Sequence, residues 1–534
     1  MCADKTSRVM ISVDVNGVLP SHLNYGAFIL EQISNLNEKI AFINGATDEQ
    51  ISFGEIEQQI VNVSSSLTKL GVKPGDVVAI CSENRPEFLI SAIAALCSGA
   101  VITFINSAYN RDELKHTMNI SKPKYFFMSP STLKTYYEVV RECRPNCKYF
   151  VFGDIDKSIG TSYGELVRVY IDRRTFQPVD YKGRVETALI LYSSGTTGPP
   201  KGAKVTHSGL IIAGMQPTCS KRDLTFLSIA PWSNTVGYIN TIRETIRGRT
   251  CVYLNKFNEA TYLGAVEKHK AGLLMAVPPL VVMLAKSSIL KEYDVSSVEL
   301  VYSGGAPLDW NVIMEMKQRF PNLKHVLQGY GMTETTGVLT EEHEGVTQNG
   351  SVGRVAPGNT VKIVDIETRK ILGPNEQGEV CVKGPVLFAG YIGKDMSEYF
   401  DEDGYYRTGD VAYYDDEGFF FITDRLKELI KYKAWQVAPS ELEAVILQHP
   451  KVKDVGVIGT PDQLAGELPT AFVVKKSEEL TEKEVIDFVA SKVSPWKYLR
   501  GGVRFIEEVP KNGSGKILRR LLRDLLKKNM QSKL

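Results

Sequence analysis

The chain has 534 residues, 43% of them hydrophobic and 23% charged, which excludes a disordered chain, a collagen-like repeat and a miniature disulfide scaffold. Lys plus Arg number 63 against 62 for Asp plus Glu, a net charge of +1, so no field steers the protein toward nucleic acid or an acidic membrane, and small molecules are the expected partners. At about 150 residues per folding unit, the length predicts three or four subdomains that need neither staples nor metals for stability.

The first residues carry Asp4, Lys5 and Arg8 without an uninterrupted apolar core, so no secretory signal is expected. Apolar, β-rich runs at Val77-Val78-Ala79-Ile80, Val101-Ile102-Thr103-Phe104, Tyr125-Phe126-Phe127-Met128 and Val298-Glu299-Leu300-Val301-Tyr302-Ser303 alternate with helical patterns. That alternation predicts an α/β fold of parallel-rich sheets flanked by helices. The one membrane-like stretch, Phe88 to Ile105, is broken by Cys97-Ser98-Gly99 and reads as a buried helix, a glycine turn and a buried strand; no membrane span is expected. From about residue 346 to 424 short strands with glycine turns predict a β-barrel-like module, as in Gly378-Glu379-Val380-Cys381-Val382-Lys383-Gly384. Residues 1–424 are thus expected to form a large domain, 425–427 the junction, and 428–534 a small α+β domain with helices at Ser440–Gln448, Glu482–Val493 and from Ile517. The eight cysteines are scattered, which predicts reduced, mostly buried thiols and neither a disulfide framework nor a zinc site.

The strongest chemical signal is Ser193-Ser194-Gly195-Thr196-Thr197-Gly198-Pro199-Pro200-Lys201-Gly202, directly after the apolar run Ala188–Tyr192. Hydroxyls, bare glycine amides and one lysine on a loop after a strand suit a polyphosphate. This is not a Walker A loop, because Pro200 precedes Lys201 and Gly202 follows it where a magnesium-binding Ser or Thr would stand. Further along lie Ser303-Gly304-Gly305-Ala306-Pro307-Leu308, Gln328-Gly329-Tyr330-Gly331-Met332-Thr333-Glu334-Thr335-Thr336, Tyr406-Arg407-Thr408-Gly409-Asp410, Asp424-Arg425-Leu426-Lys427 and Pro510-Lys511-Asn512-Gly513-Ser514-Gly515-Lys516.

These six motifs, in this order across almost the whole chain, resemble the adenylate-forming superfamily of acyl-CoA synthetases, peptide-synthetase adenylation domains and beetle luciferases. The segments Ile430–Lys433, Gln436–Pro439, Gly466–Pro469 and Leu499–Gly502 are most similar to its 4-coumarate-CoA ligase, insect acyl-CoA synthetase and luciferase branch. The residues allow the same chemistry. A carboxylate that attacks the α-phosphate of ATP needs the crowded anion neutralised and the leaving pyrophosphate held in line. The 193–201 loop suits the β- and γ-phosphates, Thr333 the α-phosphate, and Glu334 a magnesium ion through oxygen. Tyr330, beside Gly331, offers a flat face for adenine, and Gly304, Gly305 and Ala306, followed by Pro307, permit close backbone approach.

The resemblance implies further roles. Asp410 and Arg425 are expected on the ribose, and Lys516 is expected to be delivered by the small domain to the reacting carboxylate and α-phosphate. That domain is expected to swing about Arg425–Lys427 for the second half-reaction, carrying Lys431 and Gln436 on a hairpin. Lys511, Arg519 and Arg520 read instead as solvated charges of a basic tail. Trp232, Asn234, Val236 and Gly237, with Gly304, are expected to line the acid pocket. There Asn234 stands where the branch has His, and Ala434 stands where relatives have Gly on the path of CoA; its methyl either narrows that tunnel or is tolerated. The expected function is ATP- and Mg²⁺-dependent acyl-adenylate formation followed by transfer to CoA. The alternative is an insect luciferase, in which an adenylated luciferin reacts with O₂ and emits light; a binding-only protein is disfavoured because Glu334, Asp410, Lys431 and Lys516 are all present. The terminal Ser532-Lys533-Leu534 matches the address read by the peroxisomal import receptor, so the peroxisome is the expected location.

Overall fold

In the computed structural model, residues 9–11, 23–181, 185–193, 200–306, 308–433, 435–462, 464–512 and 515–531 are described. Ser194 to Gly198, Pro307, Ala434, Gly513, Ser514 and Ser532 to Leu534 lie outside them.

The run Val77–Cys81 forms a strand buried along most of its length, pairing in parallel with Val101–Phe104 on one side and Tyr125–Met128 on the other. Its neighbours are apolar on both faces, as strands covered by helices on both sides must be. They belong to a seven-stranded sheet that is parallel except at one edge, where Thr187–Ser193 folds back on Lys201–Thr206. That antiparallel hairpin sets Ser193 and Lys201, the described residues at the two ends of the Ser193–Lys201 motif, opposite each other. The stretch 88–105 forms the helix Pro86–Cys97, a turn at Gly99 with φ +80° and the strand Val101–Phe104. Among the described residues no helix is long and apolar enough to cross a membrane. The cysteines among them are all free, and all but Cys143 are buried.

A second, nine-stranded sheet carries Leu300–Gly304, His325–Met332 and Gly337–Glu341 side by side. Its parallel strands end in the glycine motifs, which gathers those turns at the carboxyl ends of strands, where ligands of open α/β sheets bind. One core cluster of Phe42, Phe88, Phe104, Trp232, Tyr238 and Tyr302 joins both sheets.

The β-rich part is a five-stranded antiparallel sheet of Thr360–Val364, Gly378–Lys383, Tyr406–Tyr414 and Phe420–Arg425, with Met10–Ile11 added at its edge. In the small domain, Ile430–Tyr432, Trp435–Val437, Val452–Asp462, Gly466–Lys475 and Val503–Phe505 form another sheet, packed with helices Pro439–Leu447 and Arg519–Gln531. The helix from Glu482 ends at Ala490, short of Val493.

One polar contact ties the small domain to the residues before the junction, and a second braces the small domain within itself. Asp424 accepts hydrogen bonds from the Ser440 amide (3.0 Å) and hydroxyl (2.9 Å), so a carboxylate before the junction caps a helix beyond it. Arg519 is no solvated tail residue: it is 8% exposed and bonds Glu428 (2.8 Å), both oxygens of Glu443 (2.8 Å each) and the Val457 carbonyl (3.1 Å). The basic run in which it lies hides one inward-facing position of a helix.

Candidate active site

The strand Lys201–Thr206 starts with the loop lysine, whose ammonium donates to the Tyr399 hydroxyl (3.1 Å) and lies over the rings of Tyr391 (4.9 Å) and Tyr399 (5.1 Å). Tyr391 in turn donates its hydroxyl to Glu334, a carboxylate buried in the short turn Thr333–Thr335. Burial and then the charge of Glu334 hold the Tyr391 phenol far above its ordinary range. A cation, two aromatic faces and an anion therefore form one wall at Lys201. Sequence reasoning missed Tyr391 and Tyr399, which no periodicity or spacing marks in their irregular segment.

Next to this wall Tyr330 donates to Asp410 (2.6 Å), and Arg425 pairs with the other Asp410 oxygen at 2.9 Å. Asp410 and Arg425 face each other because their strands are registered as neighbours, Asp410 opposite Arg425. Burial, followed by the Asp410 charge, keeps the Tyr330 hydroxyl protonated. Gly305 has φ +89° with nothing within 4 Å of where a Cβ would stand, leaving open space at the turn, with Ala306 beside it. Gly331 serves the fold itself: a Cβ there would meet the Gly337 carbonyl at 1.8 Å. Gly304 is close to the Gly329 carbonyl, at 3.0 Å from its missing Cβ.

Lys516 reaches this cluster from the other domain. Its turn is pinned by Asn512 Oδ1, which accepts from the Lys516 amide at 2.9 Å. Gly515, with φ +82°, fits against the large domain so closely that a Cβ would sit 2.2 Å from Pro279. Burial, then the positive charge of Arg425, brings the Lys516 ammonium down to about 8, against the pull of Glu428 and Asp410. Lys431 and Gln436 are not brought in. They face each other on the hairpin Ile430–Tyr432 and Trp435–Val437, both exposed, with Trp435 stacked on Trp496 at 4.4 Å.

On the acid side one expectation changes. Trp232 is fully buried, its ring against Phe42 (5.5 Å) and Tyr253 (5.5 Å), so it is core and not an accessible pocket wall; a large aromatic beside the motif gains more from burial. Asn234 caps the helix Thr235–Thr245, its Oδ1 accepting from the Gly237 amide at 2.8 Å. Gly237 lacks a Cβ because one would strike the Pro231 carbonyl at 2.1 Å, while Val236 is 40% exposed. The cap was legible in Asn234-Thr235-Val236-Gly237 as an N-terminal helix signal. Thr235, missed by sequence reasoning, places its Oγ1 3.0 Å from Thr333 Oγ1.

The AMP-binding enzyme family matches residues 29–392, and the family of AMP-binding enzyme C-terminal domains matches residues 441–516. The chain belongs to the AMP-binding enzyme family. It is 41% identical over 509 residues to a luciferin 4-monooxygenase of Nipponoluciola cruciata, covering 92% of each chain. It is 34% identical to a probable 4-coumarate-CoA ligase 2 of Dictyostelium discoideum over 93% of this chain and 94% of that one. Among solved structures, ATP-bound MatB from Rhodopseudomonas palustris superposes with a TM-score of 0.83 at 28% identity, covering 94% of this chain and 99% of that one. The protein is an adenylate-forming enzyme of the same ATP-binding family, with the α/β architecture of that group.

Proposed function

We propose that the protein activates a small-molecule carboxylic acid with ATP and Mg²⁺, releasing pyrophosphate, and then passes the acyl group to CoA. The observation that carries this reading is the close packing of Gly515 on Pro279 across the domain boundary, which holds Lys516 within reach of the charges of Arg425 and Asp410. A carboxylate oxygen would bond to the α-phosphorus while the bond to the β-phosphate oxygen breaks and pyrophosphate departs. Lys516 would stabilise the charge that grows on the α-phosphate, and Lys201 would hold the departing phosphates. Tyr330 and the open turn at Gly305 would take the adenine, and Asp410 the ribose. Glu334, a buried carboxylate bonded among the described residues to a tyrosine hydroxyl, suits Mg²⁺, which binds through one or two carboxylates plus phosphate oxygens and would neutralise phosphate charge.

The second reading, a luciferase, is favoured by one observation: identity to the luciferin 4-monooxygenase, 41%, exceeds that to the 4-coumarate-CoA ligase, 34%. Incubating the purified chain with ATP, Mg²⁺ and a panel of acids, and following pyrophosphate, thioester and photons together, tests both. Pyrophosphate with thioester supports the ligase, pyrophosphate with oxygen-dependent light supports the luciferase, and no pyrophosphate overturns both. Peroxisomal import through Ser532-Lys533-Leu534 is part of the proposal; a tagged chain that still enters peroxisomes after loss of those residues would refute it.

A further inference from the structure

Tyr391 stands between two groups of opposite charge. The Lys201 ammonium lies over its ring at 4.9 Å and over that of Tyr399 at 5.1 Å, and donates to the Tyr399 hydroxyl at 3.1 Å. At the other end of the same side chain, the Tyr391 hydroxyl donates to the buried Glu334 carboxylate, with the Tyr406 hydroxyl 3.4 Å away. Among the described residues Lys201 and Glu334 make no ion pair with each other, although a single side chain separates them. Shielded from water, such charges attract strongly, and a lysine on a flexible four-carbon stem would close on the carboxylate if nothing stood between them.

The backbone holds the tyrosine in that place. Phe388 donates its amide to the Glu334 carbonyl (2.9 Å), Ala389 to the Lys204 carbonyl (2.7 Å) and Ile392 to the Gly202 carbonyl (2.9 Å), while the Gly390 carbonyl accepts from the Lys204 amide (3.0 Å). Residues 388–392 are thus a strap, bonded both to the turn that carries Glu334 and to the strand that starts at Lys201. Gly390, with φ +102°, bends the strap between these anchorages. Tyr391 itself is 6% exposed and braced by the rings of Phe388 (4.9 Å) and Tyr399 (5.5 Å). Its ring face suits a cation and its O–H suits a carboxylate, so each charge has a neutral partner that leaves it uncancelled.

Resting on the adenylation reading, we propose that Tyr391 is a positioning residue that keeps Lys201 and Glu334 from neutralising each other, holding the ammonium ready for the nucleotide's phosphates and the carboxylate ready for Mg²⁺. Without it the two would pair, and ATP would bind only by parting a buried ion pair.

The test is equilibrium binding of ATP to the full chain without any acid, so that no turnover occurs, followed by calorimetry in Mg²⁺ and in EDTA. Tyr391→Phe keeps the ring face and loses the hydroxyl: affinity in EDTA should stay within about twofold, while the gain on adding Mg²⁺ should shrink about fivefold. Tyr391→Leu loses both, and affinity in EDTA should fall about tenfold. Coupling decides between positioning and mere structure. Glu334→Gln should raise the EDTA affinity of Tyr391→Leu about tenfold, because the lysine is released, and that of the unaltered chain less than about threefold. Equal effects of Glu334→Gln in both backgrounds, or Tyr391→Leu binding like Tyr391→Phe in EDTA, would overturn the proposal. So would a loss in EDTA or an undiminished Mg²⁺ gain in Tyr391→Phe, a change of one hydroxyl that decides the matter even if Tyr391→Leu does not fold. Absence of ATP binding by the unaltered chain defeats the adenylation reading and the tyrosine's role with it.

Discussion

Two lysine-bearing elements of the small domain contrast sharply. The turn ending in Lys516 is pressed onto Pro279 and sits among charges of the large domain, whereas the hairpin bearing Lys431 and Gln436 is exposed and braced within its own domain by Glu467, which accepts from the Lys431 amide at 2.9 Å. Both belong to one small domain, the hairpin on its sheet and Lys516 just before its last helix, so a single placement of the domain can offer only one of them to a substrate. On the proposed chemistry, the arrangement seen here serves the first half-reaction, and the second demands that the domain turn.

Arg519→Met should erase the contrast most strongly, because it leaves Glu428 and Glu443 buried without their cation. A loss of about 3–5 kcal/mol in unfolding free energy is expected, read by denaturant titration, with both half-reactions falling together. Lys516→Ala should sharpen it: acyl-adenylate formation should drop about a hundredfold or more, while thioester formation from supplied acyl-adenylate barely changes. Lys431→Ala should give the opposite pattern, and equal losses in both steps for either variant would refute the division. The pH profile should show a smaller effect. Since burial lowers Lys516 to about 8, the charged form is complete below that value and is lost as pH rises through it. The kcat/KM for adenylation should therefore fall about tenfold per pH unit above about 8, and Lys516→Arg should flatten that limb. Smallest of all, Ser440→Ala removes a hydroxyl bond to Asp424 worth about 1 kcal/mol, so adenylation should weaken a few-fold relative to thioester formation.

Much of the large domain was readable because β-branched runs and glycine punctuation announce parallel strands and their ends. Glu334 was singled out by a motif whose composition suits phosphate and magnesium, whereas Asp410, Arg425 and Lys516 were singled out through the resemblance of their motifs to a known family; the structure gathers the charges of all four. Tyr391 and Thr235 were not readable, since their meaning lies in which distant residue they touch: Glu334 for one and Thr333 for the other. Trp232 and Arg519 were assigned the wrong surroundings because composition alone does not tell which face of an element turns inward. The pairing of Met10–Ile11 with Thr360 and Val361 joins the two ends of the large domain, and no local pattern encodes a partner some 350 residues away.

The contact between Gly515 and Pro279 turns domain closure into a gauge with a tolerance smaller than one methyl group. A Gly515→Ala chain would keep its ATP-facing wall and its small-domain fold, yet the added carbon, 2.2 Å from the proline ring, would wedge the jaws ajar with Lys516 held short of its target. Such a chain would be a jammed clamp, useful for catching ATP and acid together before either reacts.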